Sequence, residues 1–118
     1  MNPSEMKKRT KAYALAIIRL VQTLPTTPTA RVLGNQLLRC GTSVGSNYRA
    51  SCRAKSQADF IAKMGIVEEE ADESIYWMEL LVECGILQQS AVGELQTEGD
   101  QIVRIVVSSI NTTRGNKR

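Results

Sequence analysis

The chain has 118 residues, 15 Lys and Arg against 12 Asp and Glu, no histidine, and a net charge of +3. That length suits one domain over residues 1–118, and with one Phe, one Trp and three Tyr its core must be aliphatic. Three cysteines (Cys40, Cys52, Cys84) lack any paired spacing, which argues against a disulfide framework or a zinc site and fits free thiols in a reducing cytosol.

The first predicted helix covers residues 4–24. Ser4 is placed to accept a bond from a free amide of the first turn, and Ala14, Ile17, Val21 and Leu24 fall on one apolar face. Pro25 ends it, because the residue before a proline is pushed out of the helical region. The apolar run 12–21 is broken by Arg19 and is too short to span a bilayer, so a cytoplasmic chain without a membrane partner is expected.

Thr27 and Pro28 open a second helix, as cap and first residue, over residues 28–54. Leu33, Leu37, Cys40, Val44 and Ser51 mark its inward stripe. Gly34, Gly41 and Gly45 weaken it by about 1 kcal/mol each relative to alanine, and allow another backbone to approach closely. Ser56-Gln57-Ala58-Asp59 is a capping box that starts a third helix over 57–84, with Gly85 suited to the left-handed position after its end. Phe60, Met64, Val67, Ala71, Ile75, Met78 and Val82 form a seven-residue apolar repeat along it. A fourth helix over 90–112, capped by Ser90, buries Val92, Leu95, Ile102, Val106 and Ile110. The tail from Thr112 to Arg118 is polar and basic, and is expected to fray. Four long helices with short links predict an all-α, antiparallel up-down-up-down four-helix bundle.

Charge is strongly segregated. Residues 1–55 hold ten Lys and Arg and one Glu, whereas residues 56–85 hold eight carboxylates and Lys63. This polarity suits helices that pair electrostatically, a basic face for an anionic partner, or both. The basic residues fall into two groups. Lys7, Lys8, Arg9 and Lys11 lie in the first turns of helix 1; Arg49, Arg53 and Lys55 lie near the end of helix 2, with Tyr48 beside them. Cations neutralise phosphates and a tyrosine can stack on an unpaired base, so these eight are the candidate nucleic-acid-binding residues. Ile66, Trp77, Leu80 and Cys84 form a second apolar stripe on helix 3, which is the candidate interface of a homo-oligomer.

Chemistry is poorly represented. The acidic run 68–73 lacks the histidines of a carboxylate-bridged metal site and the glycine of a calcium loop, so no metal is expected. Ser43, Cys40 and Cys52 have no histidine to activate them, and Gly41–Gly45 lacks the Lys-Ser/Thr ending of a phosphate loop. Neither a catalytic residue nor a cofactor is expected.

The segments Asn35-Gln36-Leu37-Leu38-Arg39, Thr42-Ser43-Val44-Gly45-Ser46-Asn47-Tyr48-Arg49-Ala50, Asp59-Phe60-Ile61-Ala62-Lys63, Glu69-Glu70-Ala71-Asp72-Glu73-Ser74 and Leu80-Leu81 resemble the four-helix-bundle proteins encoded in intervening sequences of bacterial 23S ribosomal RNA genes. The resemblance implies a left-handed antiparallel bundle assembled into a ring-shaped pentamer. One branch, the accessory variability determinant of diversity-generating retroelements, partners a reverse transcriptase and binds nucleic acid through a basic surface. Many members follow the Asn with an acidic–glycine pair, where this chain has Arg49-Ala50-Ser51-Cys52-Arg53. The broader family has no established activity. The two basic groups and the lack of catalytic residues lead to the expectation of a non-catalytic oligomeric scaffold for RNA or DNA, with the number five implied by the resemblance alone; the alternative is a protein–protein adaptor that binds no nucleic acid.

Overall fold

The computed structural model describes residues 1–115. Four helices occupy them: α1 (Pro3–Gln22), α2 (Pro28–Ser51), α3 (Gln57–Glu83) and α4 (Gln89–Thr113). Local chemistry sets most of their ends. The Asn2 side chain accepts from the Glu5 amide at 2.8 Å, and the Glu5 carboxylate accepts from the Asn2 amide at 3.1 Å. This reciprocal box, with Pro3 at the first helical position, starts α1 ahead of the expected Ser4 cap and leaves Ser4 inside the first turn. Thr27 caps α2 as expected, accepting from the Ala30 amide at 3.2 Å. Ser56 caps α3, but the Asp59 carboxylate reaches the Lys55 amide rather than that of Ser56. The second half of the expected box is thus displaced by one residue.

Helix α4 starts at Gln89 with no side-chain cap bond, so Ser90 lies within its first turn. Helix α2 stops at Ser51, three residues short of Ala54, where the Ser51 hydroxyl donates to the Tyr48 carbonyl at 2.6 Å. Gly85 adopts φ +86°. Its amide bonds the Val82 carbonyl and the Ile86 amide bonds the Leu81 carbonyl, both at 3.0 Å, which closes α3 by the two-bond left-handed cap. Helix α4 continues through Thr113, past the expected fraying point; residues 116–118 of that tail lie outside the described residues.

Each helix packs on its chain neighbours, and α1 meets α4 along a thinner seam. Positions 10 and 17 of α1, and 24 in the link after it, lie against 45, 41 and 34 of α2, so these helices run antiparallel. The α1–α4 pairs and the groove lined by 61 and 68 of α3 with 107 of α4 and 114 just past its end fit alternating directions too. Links of five residues at 23–27, 52–56 and 84–88 are too short to return along helices of about 30–40 Å. These observations fit an up-down-up-down course in a body of 46 × 26 × 20 Å. Among the described residues, no helix is long and apolar enough to cross a membrane.

The core contains Tyr13, Ile17, Leu37, Val44, Met64, Val67, Met78, Leu81, Ile102 and Val106. Helix α3 is rotated slightly from its expected stripe. Ser74 and Leu81 are buried, whereas Phe60, Ile75 and Val82 are half-buried. Ser74 tolerates burial because its hydroxyl donates to the Ala71 carbonyl at 2.6 Å and meets the Tyr13 hydroxyl at 2.7 Å. With the Ser74 proton so placed, Tyr13 is the donor across the core, and both polar groups are satisfied.

The glycines of α2 allow α1 to lie close. A Cβ on Gly41 would sit 2.8 Å from Ile17 Cγ2 and 3.2 Å from its Cβ, atoms of a β-branched side chain that is stiff in a helix. Gly65 of α3 instead faces open space. Gly41→Ala is therefore expected to destabilise the fold by about 1–2 kcal/mol despite its better helix propensity, whereas Gly65→Ala should stabilise it by about 0.5–1 kcal/mol. Urea denaturation of both variants checks the pair; a stabilised Gly41→Ala would mean that the α1–α2 seam is not tightly packed.

Candidate nucleic-acid interface

A helix turns by 100° per residue, so the basic run at the start of α1 divides between two sides. Arg9 points to α4. Its Nε donates to Glu98 Oε2 at 2.6 Å, and its Nη2 donates to Glu98 Oε1 at 2.9 Å and Gln101 Oε1 at 2.6 Å. The bond to Glu98 holds the guanidinium above its ordinary pKa. Arg9 thus clamps α1 to α4 through a bidentate ion pair and points away from the other basic residues expected to bind phosphate.

Lys7, Lys8 and Lys11 line the other side, where they meet Arg49 from α2 around a groove of about 430 Å³. The antiparallel pairing of α1 with α2 accounts for this. It sets the start of one helix beside the end of the other, which joins two groups that are remote in sequence. Gly45 lies in the groove, and a Cβ there would approach Thr10 Oγ1 to 3.2 Å. The neighbouring hydroxyls are turned inward: Thr10 donates to the Met6 carbonyl at 2.9 Å, Thr42 to Leu38 at 2.7 Å and Ser46 to Ser43 at 3.2 Å. The donors left to face solvent are therefore the ammonium groups and the guanidinium.

Among the described residues, none of Lys7, Lys8, Lys11, Arg49, Arg53 and Lys55 takes part in an ion pair. Arg53 and Lys55 are exposed in the link after α2 and do not line the groove. Tyr48 is only 8% exposed and belongs to the core cluster; burial pushes its hydroxyl up to about 12. Its expected role as a stacking platform is corrected, because its ring packs inside the bundle.

The acidic helix pairs elsewhere. Arg39 of α2 lies 3.8 Å from both Glu70 and Glu73 of α3, so the α2–α3 charge contact among the described residues uses Arg39 and not Arg49 or Arg53. Cys40, Glu70 and Glu73 bring three ligand-type atoms within 4.8 Å of one another. Burial, then the two carboxylates, push the Cys40 thiol up to about 12, which keeps it protonated, and Arg39 already supplies the positive charge. One oxygen of Glu70 is buried without a hydrogen bond, and burial raises the pKa of this carboxyl. The sequence marked the acidic run but not the approach of Cys40, which depends on how α2 and α3 are rotated.

The expected α3 interface is also redistributed. Trp77 is half-buried against the core, with its ring edge-on to Tyr76 at a centroid distance of 5.2 Å. Leu80 is half-buried and Cys84 exposed. The large apolar side chains exposed on α3 are Ile66 (42%) and Tyr76 (51%), accompanied by Val32 (60%) on α2. Trp77 thus sits at the bundle edge, and Tyr76, at the next position, is the more outward aromatic.

The family model for the 23S rRNA-intervening sequence protein matches residues 3–108. The chain belongs to that family. The 23S rRNA-intervening sequence protein fold is also similar to the crystal structure of a protein of unknown function from the S23 ribosomal protein family of Bacteroides thetaiotaomicron. The two share 33% identity over 88% of this chain and 96% of that one, with a TM-score of 0.83. No curated protein matches the chain. In this member of the 23S rRNA-intervening sequence protein family, Asn47 is the Asn of the motif quoted above; its Nδ2 donates to the Ser43 carbonyl at 2.8 Å, and Arg49, two positions on, lines the groove.

The raised pKa of Glu70 has a consequence for stability. A carboxyl whose folded pKa lies above its unfolded value binds a proton more tightly when folded, so its contribution favours the fold at low pH and is lost as pH rises through the folded pKa. Glu70→Gln, which is isosteric and neutral, is expected to be modestly more stable than wild type at pH 7–8, with the difference closing as pH falls toward about 4.5. Urea titrations across that range check it; a variant less stable than wild type at pH 7 would show that the Arg39 contact outweighs desolvation.

Proposed function

We propose that this chain is a non-catalytic scaffold that binds nucleic acid through the groove between α1 and α2. One observation carries the reading: four cations, Lys7, Lys8, Lys11 and Arg49, converge on one groove from two helices without an acidic partner among the described residues. Helix pairing does not need them, because Arg39 and Arg9 make the inter-helix contacts with acids. Free cations concentrated in a concave surface are the electrostatic requirement for holding a phosphate chain. Two of the three side chains considered as nucleophiles support a non-catalytic reading: Cys40 is buried and protonated, and the Ser43 hydroxyl donates to the Arg39 carbonyl at 2.7 Å; the third, Cys52, is exposed, and the chain has no histidine to activate it.

A second reading concerns assembly. The outer face of α3 presents Ile66 and Tyr76 among Glu69, Glu73 and Glu83, all exposed. An apolar pair in an acidic surround suits contact with another protein surface, and we propose that it joins copies of this chain. Light scattering after gel filtration tests this: Ile66→Glu with Tyr76→Glu should give monomers, and an unchanged mass would place the contact elsewhere or exclude it.

The groove itself is tested by fluorescence anisotropy with a labelled duplex over a salt series. Neutralising about four phosphates should give a log–log slope of about −3 to −4. Lys8→Glu with Arg49→Glu should weaken binding by about tenfold or more at low salt, with an unchanged circular dichroism spectrum. Unaltered affinity in that variant would remove the groove as the binding surface.

A further inference from the structure

The chemistry of the groove restricts what kind of nucleic acid it suits, and this step rests on the groove reading proposed above. Recognition of single strands and of base sequence both need particular side chains. Sequence-blind single-strand binders carry aromatic rings on which bases stack. Readers of base edges carry Asn, Gln, Asp, Glu, Ser, Thr or a bidentate Arg or Lys at the ligand. The α1–α2 groove has no aromatic ring in its lining. Tyr48 and Tyr13, the tyrosines of its two helices, are both buried, and Tyr76 and Trp77 belong to α3. The lining contains no Asn, Gln, Asp or Glu. Asn47, beside it in sequence, has its amide donated to the Ser43 carbonyl. The groove hydroxyls spend their protons on their own helix.

The remaining donors are three flexible ammonium groups and one guanidinium. Ammonium groups are point charges that bind phosphate without a fixed geometry. They therefore favour phosphates that are already held in register over a flexible strand that must be ordered on binding. We infer that the groove grips the phosphodiester backbone of a double-stranded nucleic acid, without reading its sequence and without holding unpaired bases. Duplex RNA and duplex DNA share this backbone chemistry, and among the described residues that line the groove only Arg49 and the three lysines carry donors for a base edge.

Competition anisotropy on the wild-type chain tests the inference, with four probes of equal length: a duplex RNA, a duplex DNA, a second duplex of scrambled sequence, and an unstructured oligouridine. The duplex and its scrambled counterpart should bind within about threefold of each other, since reading even one base pair separates sequences by more. Oligouridine should bind about tenfold more weakly, lacking the stacking that supports single strands elsewhere. The ratio of RNA to DNA duplex assigns the natural source: preference for either form beyond about threefold names it, and equality means that the backbone alone is gripped. Oligouridine binding as tightly as duplex, with Arg49→Glu still weakening it, would overturn the duplex inference and leave the groove reading intact. A sequence preference of about tenfold or more that persists in Arg49→Gln would also overturn it. Failure of every probe to bind at low salt would overturn both.

Discussion

The absence of side chains at Gly34, Gly41 and Gly45 governs how α1 can lie on α2. Leu24 and Val21, Ile17, and Thr10 fill the space that three Cβ atoms would take. These glycines lie at intervals of seven and four along one side of α2, so the seam is continuous. They cost helix propensity, and the tight contact with α1 offsets that cost. The same contact sets the register in which Lys7–Lys11 meet Arg49. The groove is thus a consequence of the same seam, which runs into it at Gly45 and Thr10.

Charge is divided between structure and surface in a consistent way. Arginines at inter-helix seams are paired: Arg9 with Glu98 between α1 and α4, and Arg39 with Glu70 and Glu73 between α2 and α3. Among the described residues, the lysines and the remaining arginines of α1 and the end of α2 are not. An ion pair that is partly shielded from solvent holds its geometry better than one in open water, and Arg9, with its bidentate contact, is the better built of the two arginines. The unpaired cations repel one another, which costs stability at low ionic strength and is relieved by an anionic ligand.

Much of the fold was legible because its signals are local. Thr27-Pro28, Ser56 and Gly85 act on amides within a few residues, so their roles follow from spacing alone. The Asn2–Glu5 box was equally local but lost to Ser4 in the reading, and α4 offered no cap to read. The candidate site was harder. Arg9 looks like its neighbours Lys7 and Lys8, and its acidic partner stands 89 positions away. Tyr48 sits beside Arg49 in sequence but 100° from it around the helix, which carries it into the core. The same angular step separates buried-edge Trp77 from outward Tyr76. Rotation of a helix by a fraction of a turn decides these cases, and rotation is set by partners far along the chain.

The central claim is that the side of the bundle formed by α1 and α2 binds the phosphate backbone. A two-dimensional amide NMR titration of the ¹⁵N-labelled chain with a short duplex tests it most directly, because it reports every position at once. The account predicts that shifts cluster at residues 7–14 of α1 and 42–49 of α2, while the outer face of α3 stays unperturbed. Shifts centred on α3 or scattered without a focus would contradict it.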